Sequence, residues 1–347
     1  MTSKNNVGLS QLNVKQKREH KSSFAEKYPK LDYFRFRAVN YLTSGSRIRQ
    51  LIMRLALYIL LIGLAFVFLY PFLFMIITSL KSNADLSNFA VQWIPTELKF
   101  ENYAIAYDLL KYVRYFKNSF IVTSIASIGH IIACSFIGYG FARFNFPGKK
   151  LLFGLVILAF IVPVQTIIIP LYLTYSKFSW LNTYLPLLVP TFFGFGLRGA
   201  LFIFLFRQFY LTIPRDLENA ALIDGCGFFR TYWRVIFPLA KSTIVVALVL
   251  SVVWHWNDFY ESSLYISKSA LAFLPPQINS IIAVVNAPPD RLFDLLADLG
   301  LEGGEDTLNN AVIMAGTTLI SAPVLIFFAF AQRQFMQGIE RTGITGE

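Results

Sequence analysis

The chain has 347 residues, of which 55% are hydrophobic and 15% charged, and its mean hydropathy is +0.54. Soluble domains carry roughly 25% charged residues, so this balance excludes an ordinary soluble enzyme and points to a membrane protein. The net charge of +11 does not by itself indicate nucleic acid, because its meaning depends on where the charges lie.

In chain order, the first 50 residues form a basic extension. Ser, Asn, Lys and Gln dominate up to Ser23, which reads as a disordered tail. Tyr33, Phe34, Phe36 and Tyr41 then interleave with Arg35 and Arg37, a mixture suited to the inner leaflet surface. No apolar h-region occurs there, so no signal peptide is expected. Residues 51–337 are read as one membrane domain and 338–347 as a short tail.

A spanning helix needs roughly 20 mainly apolar residues. Six stretches qualify, near 55–79, 119–142, 151–173, 184–206, 242–264 and 311–332. Pro163 and Pro170 predict kinks in the third, because neighbouring groups in a bundle can satisfy the freed backbone. Between these runs, twenty-two Lys and Arg residues fall on one side and eight on the other. Cytoplasmic loops are enriched in Lys and Arg, so both termini are expected in the cytoplasm. The last external loop is acidic, with Asp290, Asp294, Asp298, Glu302, Glu305 and Asp306. The positive charge is thereby assigned to topology and lipid headgroups, and nucleic acid is not an expected partner.

Between the fourth and fifth runs lies a polar segment, 215–238. Pro214 suits a helix start, and Asp216 and Glu218 complement the dipole of its first turn. Asn219 follows, and Ala220 and Ala221 offer a small contact face. After Asp224, Gly225 and Gly227 break the helix and permit a left-handed turn. A second short helix, roughly Phe228–Ile236, runs to Pro238. The expected product is a helix-turn-helix on the membrane surface, either a docking element or a plain connector.

Asn219-Ala220-Ala221, then Gly225 and Val235-Ile236-Phe237-Pro238, resembles the coupling loop of ABC importer permeases, whose pattern is Glu-Ala-Ala, three residues, Gly, nine residues, Ile-x-Leu-Pro. Asn219 stands where that family has Glu. Further segments resemble the maltose-type carbohydrate permeases: Phe100-Glu101-Asn102-Tyr103, Phe141-Ala142-Arg143-Phe144, Val162-Pro163-Val164-Gln165, Phe206-Arg207-Gln208-Phe209 and Trp256-Asn257-Asp258-Phe259. The resemblance implies an all-α integral membrane protein of the type I ABC importer permease fold, with six spans and a cytoplasmic coupling helix-turn-helix. It implies a homologous second permease subunit, an ATPase dimer and an extracytoplasmic solute-binding protein as partners, a sugar as substrate, and a bacterial cell membrane location. Glu218, Asn219, Ala220, Ala221, Asp224, Gly225 and Pro238 would then form the ATPase-coupling surface.

Within this chain Gly148-Lys149-Lys150 lacks the upstream Gly and the Ser/Thr of a phosphate-binding loop. No cofactor is therefore expected here, and ATP and magnesium would belong to the ATPase subunits. Three scattered histidines and two distant cysteines give no catalytic or metal-binding pattern. Arg198, Gln165, Trp256, Asn257 and Asp258 are candidate substrate-pathway residues, since polar groups within spans often line such paths. Each also has a structural reading: snorkelling for Arg198, backbone pairing for Gln165, and anchoring or helix packing for the others. His130 is expected to bond a neighbouring helix. The rival functions are a permease of the same class for a non-sugar solute and a secondary transporter working without an ATPase.

Overall fold

A computed structural model describes residues 45–343 apart from 89, 92, 197, 289–290 and 292–307. Most of the basic extension, residues 1–44, lies outside the described residues, as do the acidic positions from Asp290 to Asp306 and the last residues, 344–347. The chain divides into two units, Met1–Leu73 and Phe74–Glu347.

In the first unit the described part belongs to α1, Gly45–Ser79. From Leu51 to Leu73 every residue is exposed, and nearly all are apolar. A helix that is hydrophobic all round belongs in lipid or against other apolar helices.

Among the described residues of the second unit, helices are the only regular secondary structure. After the short helices α2 (Asn83–Ser87) and α3 (Glu101–Leu109) comes α4, Tyr112–Arg143, which is half buried along its length. It ends where Phe144 turns extended, three residues before Pro147. Helix α5, Lys149–Ile161, is followed by α6, Val164–Lys177, at a bend of 101°. The expected kink is thus a full break. Val162 precedes Pro163, and the proline ring pushes its neighbour out of helical backbone, here to ψ 124°. Pro170 lies inside α6 without ending it.

The expected fourth run, 184–206, is not one helix. It begins as α7, Leu185–Leu188, tightens into a 3-10 turn, Val189–Phe193, and breaks before α8, Gly199–Thr212. Gly194, Gly196 and Arg198 all have left-handed backbone, with φ of 71°, 111° and 62°. Gly199 closes the loop so tightly that a Cβ there would stand 2.2 Å from the Gly194 carbonyl oxygen. Only glycine tolerates such an approach.

The polar segment then folds as α9 (Asp216–Ile223), α10 (Phe228–Thr231), a π turn over Tyr232–Ile236 and α11 (Phe237–Leu239). Helix α12, Lys241–Trp256, leaves α11 at 77°, and α13, Tyr260–Tyr265, follows a three-residue break. Later among the described residues come α14 (Ile278–Val285) and α15 (Asn310–Gly343). Among the described residues α1, α4 and α15 are long and apolar enough to cross a membrane, and each bent pair passes the same test as one broken span.

Helix α4 is the central post. One core packs it against α8, α12 and the hairpin, around Phe202, Phe206, Tyr210, Tyr232 and Ile236. A second core joins α3, α14 and α15 around Leu110, Leu274, Ile281 and Val312.

Candidate functional site

The hairpin at 215–238 is built from a helix, a glycine stop and a widened second helix. Asp216 and Glu218 occupy the first turn of α9, where negative charge meets the helix dipole. At the other end Cys226 N–H donates to Ala221 O (2.9 Å) and Gly225 N–H donates to Leu222 O (3.0 Å). These two bonds form a Schellman stop around Gly225, whose φ is 79°, as the sequence predicts. Gly227 does not share that role. Its backbone is extended, and it precedes α10.

Pro238 also behaves differently from the expectation. It sits inside the last turn instead of ending the helix. Proline offers no N–H and crowds the carbonyl four residues back, here Arg234. The π turn just before it, closed by Phe237 N–H donating to Tyr232 O, widens the helix where that crowding falls.

The inner face of the hairpin is tied to α4. Arg143, at the end of α4, pairs with Glu218 at 2.6 Å, with side-chain exposures of only 6% and 15%. The same guanidinium donates from Nη2 to Ile213 O, also at 2.6 Å. Eight residues earlier, Ser135 Oγ shares hydrogen bonds with the Tyr210 hydroxyl (2.6 Å) and the Tyr232 hydroxyl (2.8 Å). Between these points the Tyr139 and Phe228 rings stack with centroids 5.6 Å apart.

The outer face is apolar. Ile223 is 86% exposed, and Leu222, Phe229 and Trp233 are exposed beside it. Asn219, Ala220, Asp224, Gly225 and Pro238 face outwards as well, whereas Ala221 is buried. Of the two alanines, only Ala220 is therefore available to a docked surface. The charge lost at Asn219 has a neighbour in Glu218, but that carboxylate is spent inside the chain on Arg143.

The candidate pathway residues separate into two groups. Trp256, Asn257 and Asp258 stand together at the α12–α13 joint. Trp256 is buried and donates to Ile320 O (3.1 Å), and Asn257 donates to Val253 O (2.8 Å). Asp258 caps α13, accepting from Ser262 N–H (2.8 Å) and Glu261 N–H (3.2 Å). Arg198 is exposed in the glycine break, its guanidinium 5.6 Å from the Trp254 ring centre. Gln165 is exposed at the start of α6, and the neighbouring Pro163 carbonyl accepts from the Thr166 hydroxyl (2.7 Å).

A contact that sequence reasoning did not anticipate links these regions. His130 of α4 bonds the Phe195 carbonyl in the glycine break (3.1 Å) and, through its other nitrogen, His255 of α12 (3.0 Å). The bond to a neighbouring element was expected of His130, but its partner was not. Arg143 carries part of the family resemblance and of the loop charge, but its pairing with Glu218 was not anticipated. Its position four residues before Pro147 was the available signal.

Known proteins extend this reading. Residues 131–341 match the family described as binding-protein-dependent transport system inner membrane component. The chain is 25% identical over 296 residues to the arabinooligosaccharides transport system permease protein AraQ of Bacillus subtilis, covering 84% of this chain and 96% of that protein. It is 30% identical over 278 residues to the probable starch degradation products transport system permease protein AmyC of Thermoanaerobacterium thermosulfurigenes, covering 80% and 92%. A crystal structure of a bacterial ABC transporter involved in the import of alginate, an acidic polysaccharide, shares the fold at a TM-score of 0.67, with 21% identity over 84% of this chain and 98% of that one. With well over half of its length matched, and with its broken apolar helices and hairpin, the chain belongs to the binding-protein-dependent inner membrane components: it is an ABC importer permease, a multi-pass transport subunit and not an enzyme.

Proposed function

We propose that this chain is one permease half of an ATP-driven importer of sugars or oligosaccharides, working by alternating access. One observation carries the coupling role. The hairpin is fixed to the bundle on its inner face while Leu222, Ile223 and Phe229 stand unburied on its outer face. Exposed side chains of that size, grouped on a rigid element, fit a partner's groove. The groove belongs to an ATPase dimer that holds ATP and magnesium. A homologous second permease subunit completes the pathway, and an extracytoplasmic solute-binding protein delivers the substrate. In this reading α1, α4, the bent pair α5–α6, the interrupted run 184–206, α12 and α15 make six spans, with the hairpin and both termini in the cytoplasm of a bacterial cell. The relatives named for arabinooligosaccharides and starch degradation products support a carbohydrate substrate.

Arg198 and the joint at Trp256–Asp258 are the pathway positions in this proposal. Asn257 presents an exposed amide there, and Asp258 serves chiefly to cap α13. A second reading, a different small solute, is favoured by a relative from Synechocystis named as an osmoprotective compounds uptake permease, 27% identical over 309 residues.

Purification of the tagged chain from its native membranes, with photo-crosslinkers at Ala220 and Ile223, tests the proposal. Crosslinks to an ATPase subunit are expected. Crosslinks that reach only lipid or external protein would overturn it, and the ligand preference of the copurifying binding protein separates the sugar reading from the osmolyte reading.

A further inference from the structure

The hairpin is held to α4 at two places, and the geometry of that attachment has a mechanical consequence. Glu218 anchors α9 through the buried Arg143 pair, and Tyr232 anchors the π turn through Ser135. Arg143 and Ser135 lie on the same helix, eight residues or about 12 Å apart along its axis. A body fastened at one point can pivot in any direction, whereas a body fastened at two points that far apart can turn only about the line between them, and the stacked Tyr139 and Phe228 rings oppose that turn. Helix α8 is included in the same arrangement, because Tyr210 shares the Ser135 hydroxyl and Ile213 O accepts from Arg143. Between the fastenings, Gly138 brings the α4 and α8 backbones into direct contact, with no room for a Cβ.

We infer that Arg143–Glu218 and Ser135–Tyr232 form a two-point joint that makes α4, α8 and the hairpin move as one rigid body. Displacement of the hairpin by the ATPase is thereby delivered to the second and fourth spans without loss by local bending. Arg143, Glu218, Ser135 and Tyr232 are positioning residues in this account, since they touch neither substrate nor nucleotide. The inference rests on the importer reading for its source of movement, although the joint itself belongs to this chain alone.

The test uses the complex purified from native membranes in nanodiscs. Spin labels are placed at Cys226 in the hairpin and at Ile128→Cys, an exposed site on α4, with the buried Cys134 replaced by Ala. The label–label distance is measured without nucleotide and with ATP plus vanadate. The expected result for the parent is one narrow distance that nucleotide leaves unchanged. In Glu218→Gln that single distance is lost, and a second population appears with nucleotide while the ATPase remains bound. The double exchange Arg143→Glu with Glu218→Arg restores the single distance, a rescue that general destabilisation does not predict. Tyr232→Phe, which removes one hydroxyl and keeps the ring, broadens the distribution and serves if Glu218→Gln does not fold. A parent distance that shifts with nucleotide overturns the inference, as does an unchanged distribution in both Glu218→Gln and Tyr232→Phe. Failure of the importer reading is separately visible as absence of any copurifying ATPase, and the nucleotide-free widths still read the joint in that case.

Discussion

Two glycines on one helix, Gly138 and Gly140, should respond unequally to the same substitution. An alanine Cβ at Gly138 would stand 2.8 Å from Phe206 Cβ, 2.9 Å from Arg207 N and 3.0 Å from Ile203 O. Optimal heavy-atom contacts lie near 3.5–4.0 Å, so the two helices are about 1 Å too close for a methyl group. Two of these three atoms belong to the α8 backbone, which cannot rotate out of the way as a side-chain tip can. Overpacking of this kind costs about 1–3 kcal/mol. At Gly140 a Cβ would meet nothing within 4 Å. There the substitution brings only the helix preference of Ala over Gly, about 1 kcal/mol. Since both positions lie inside α4, that preference cancels between the variants and leaves the overpacking alone. Gly138→Ala is therefore expected to be less stable than Gly140→Ala by about 1–3 kcal/mol, roughly one to two decades in the unfolding equilibrium. Denaturant titration of both variants in the same detergent, read by fluorescence-detected size exclusion, measures the difference. Equal stability of the two variants would refute the claim that α4 and α8 meet backbone to backbone.

Other outcomes follow from single contacts. Replacing His130 with Ala removes the partner of both His255 and the Phe195 carbonyl, two part-buried contacts, and empties a fully buried side-chain site, at about 1–3 kcal/mol. Thermal melting of that variant should fall clearly below that of the parent, and an unchanged melt would show that the glycine break does not need this bond. Gly225→Val forces a branched side chain into left-handed backbone, at about 1–2 kcal/mol, whereas Gly225→Asn should cost less. Comparing the two melts checks the turn, and equal losses would argue against it. Asp85 lies in the short helix α2, where the Thr96 hydroxyl donating to its carboxylate (2.5 Å) is the chief reason that its pKa is lowered, opposed by desolvation and assisted by the Thr96 N–H (3.1 Å). A lowered folded-state pKa means that this contribution is complete above the ordinary carboxylate range and is lost as pH falls through the depressed value. Limited proteolysis of segment 82–97 should accordingly stay slow at neutral and mildly acidic pH and accelerate only below that range, while Asp85→Asn should be cleaved quickly at every pH.

Much of the architecture was legible in local chemistry. The stop at Gly225 follows from glycine's access to left-handed backbone, and the acidic first turn of α9 follows from the helix dipole. The break between α5 and α6 follows from Val162 preceding Pro163. Each feature depends on residues within a few positions of one another, so a linear reading reaches it. The break at 194–198 was missed because hydropathy averages over the window and hides three glycines among aromatic residues. Pro238 was misread as a terminator because the π turn that accommodates it requires the whole hairpin to be folded.

Composition, charge asymmetry and the hairpin spacing were enough to identify a membrane-embedded permease, because bilayer burial and backbone turn chemistry leave their marks residue by residue. Tertiary structure alone decided which partner each polar group takes. Glu218 meets Arg143, Ser135 meets two tyrosines, and His130 meets His255. These pairs are separated by 75 to 125 residues. They form because polar groups withdrawn from water must find partners, and only the packing of α4 against α8, α9 and α12 determines which partners are within reach.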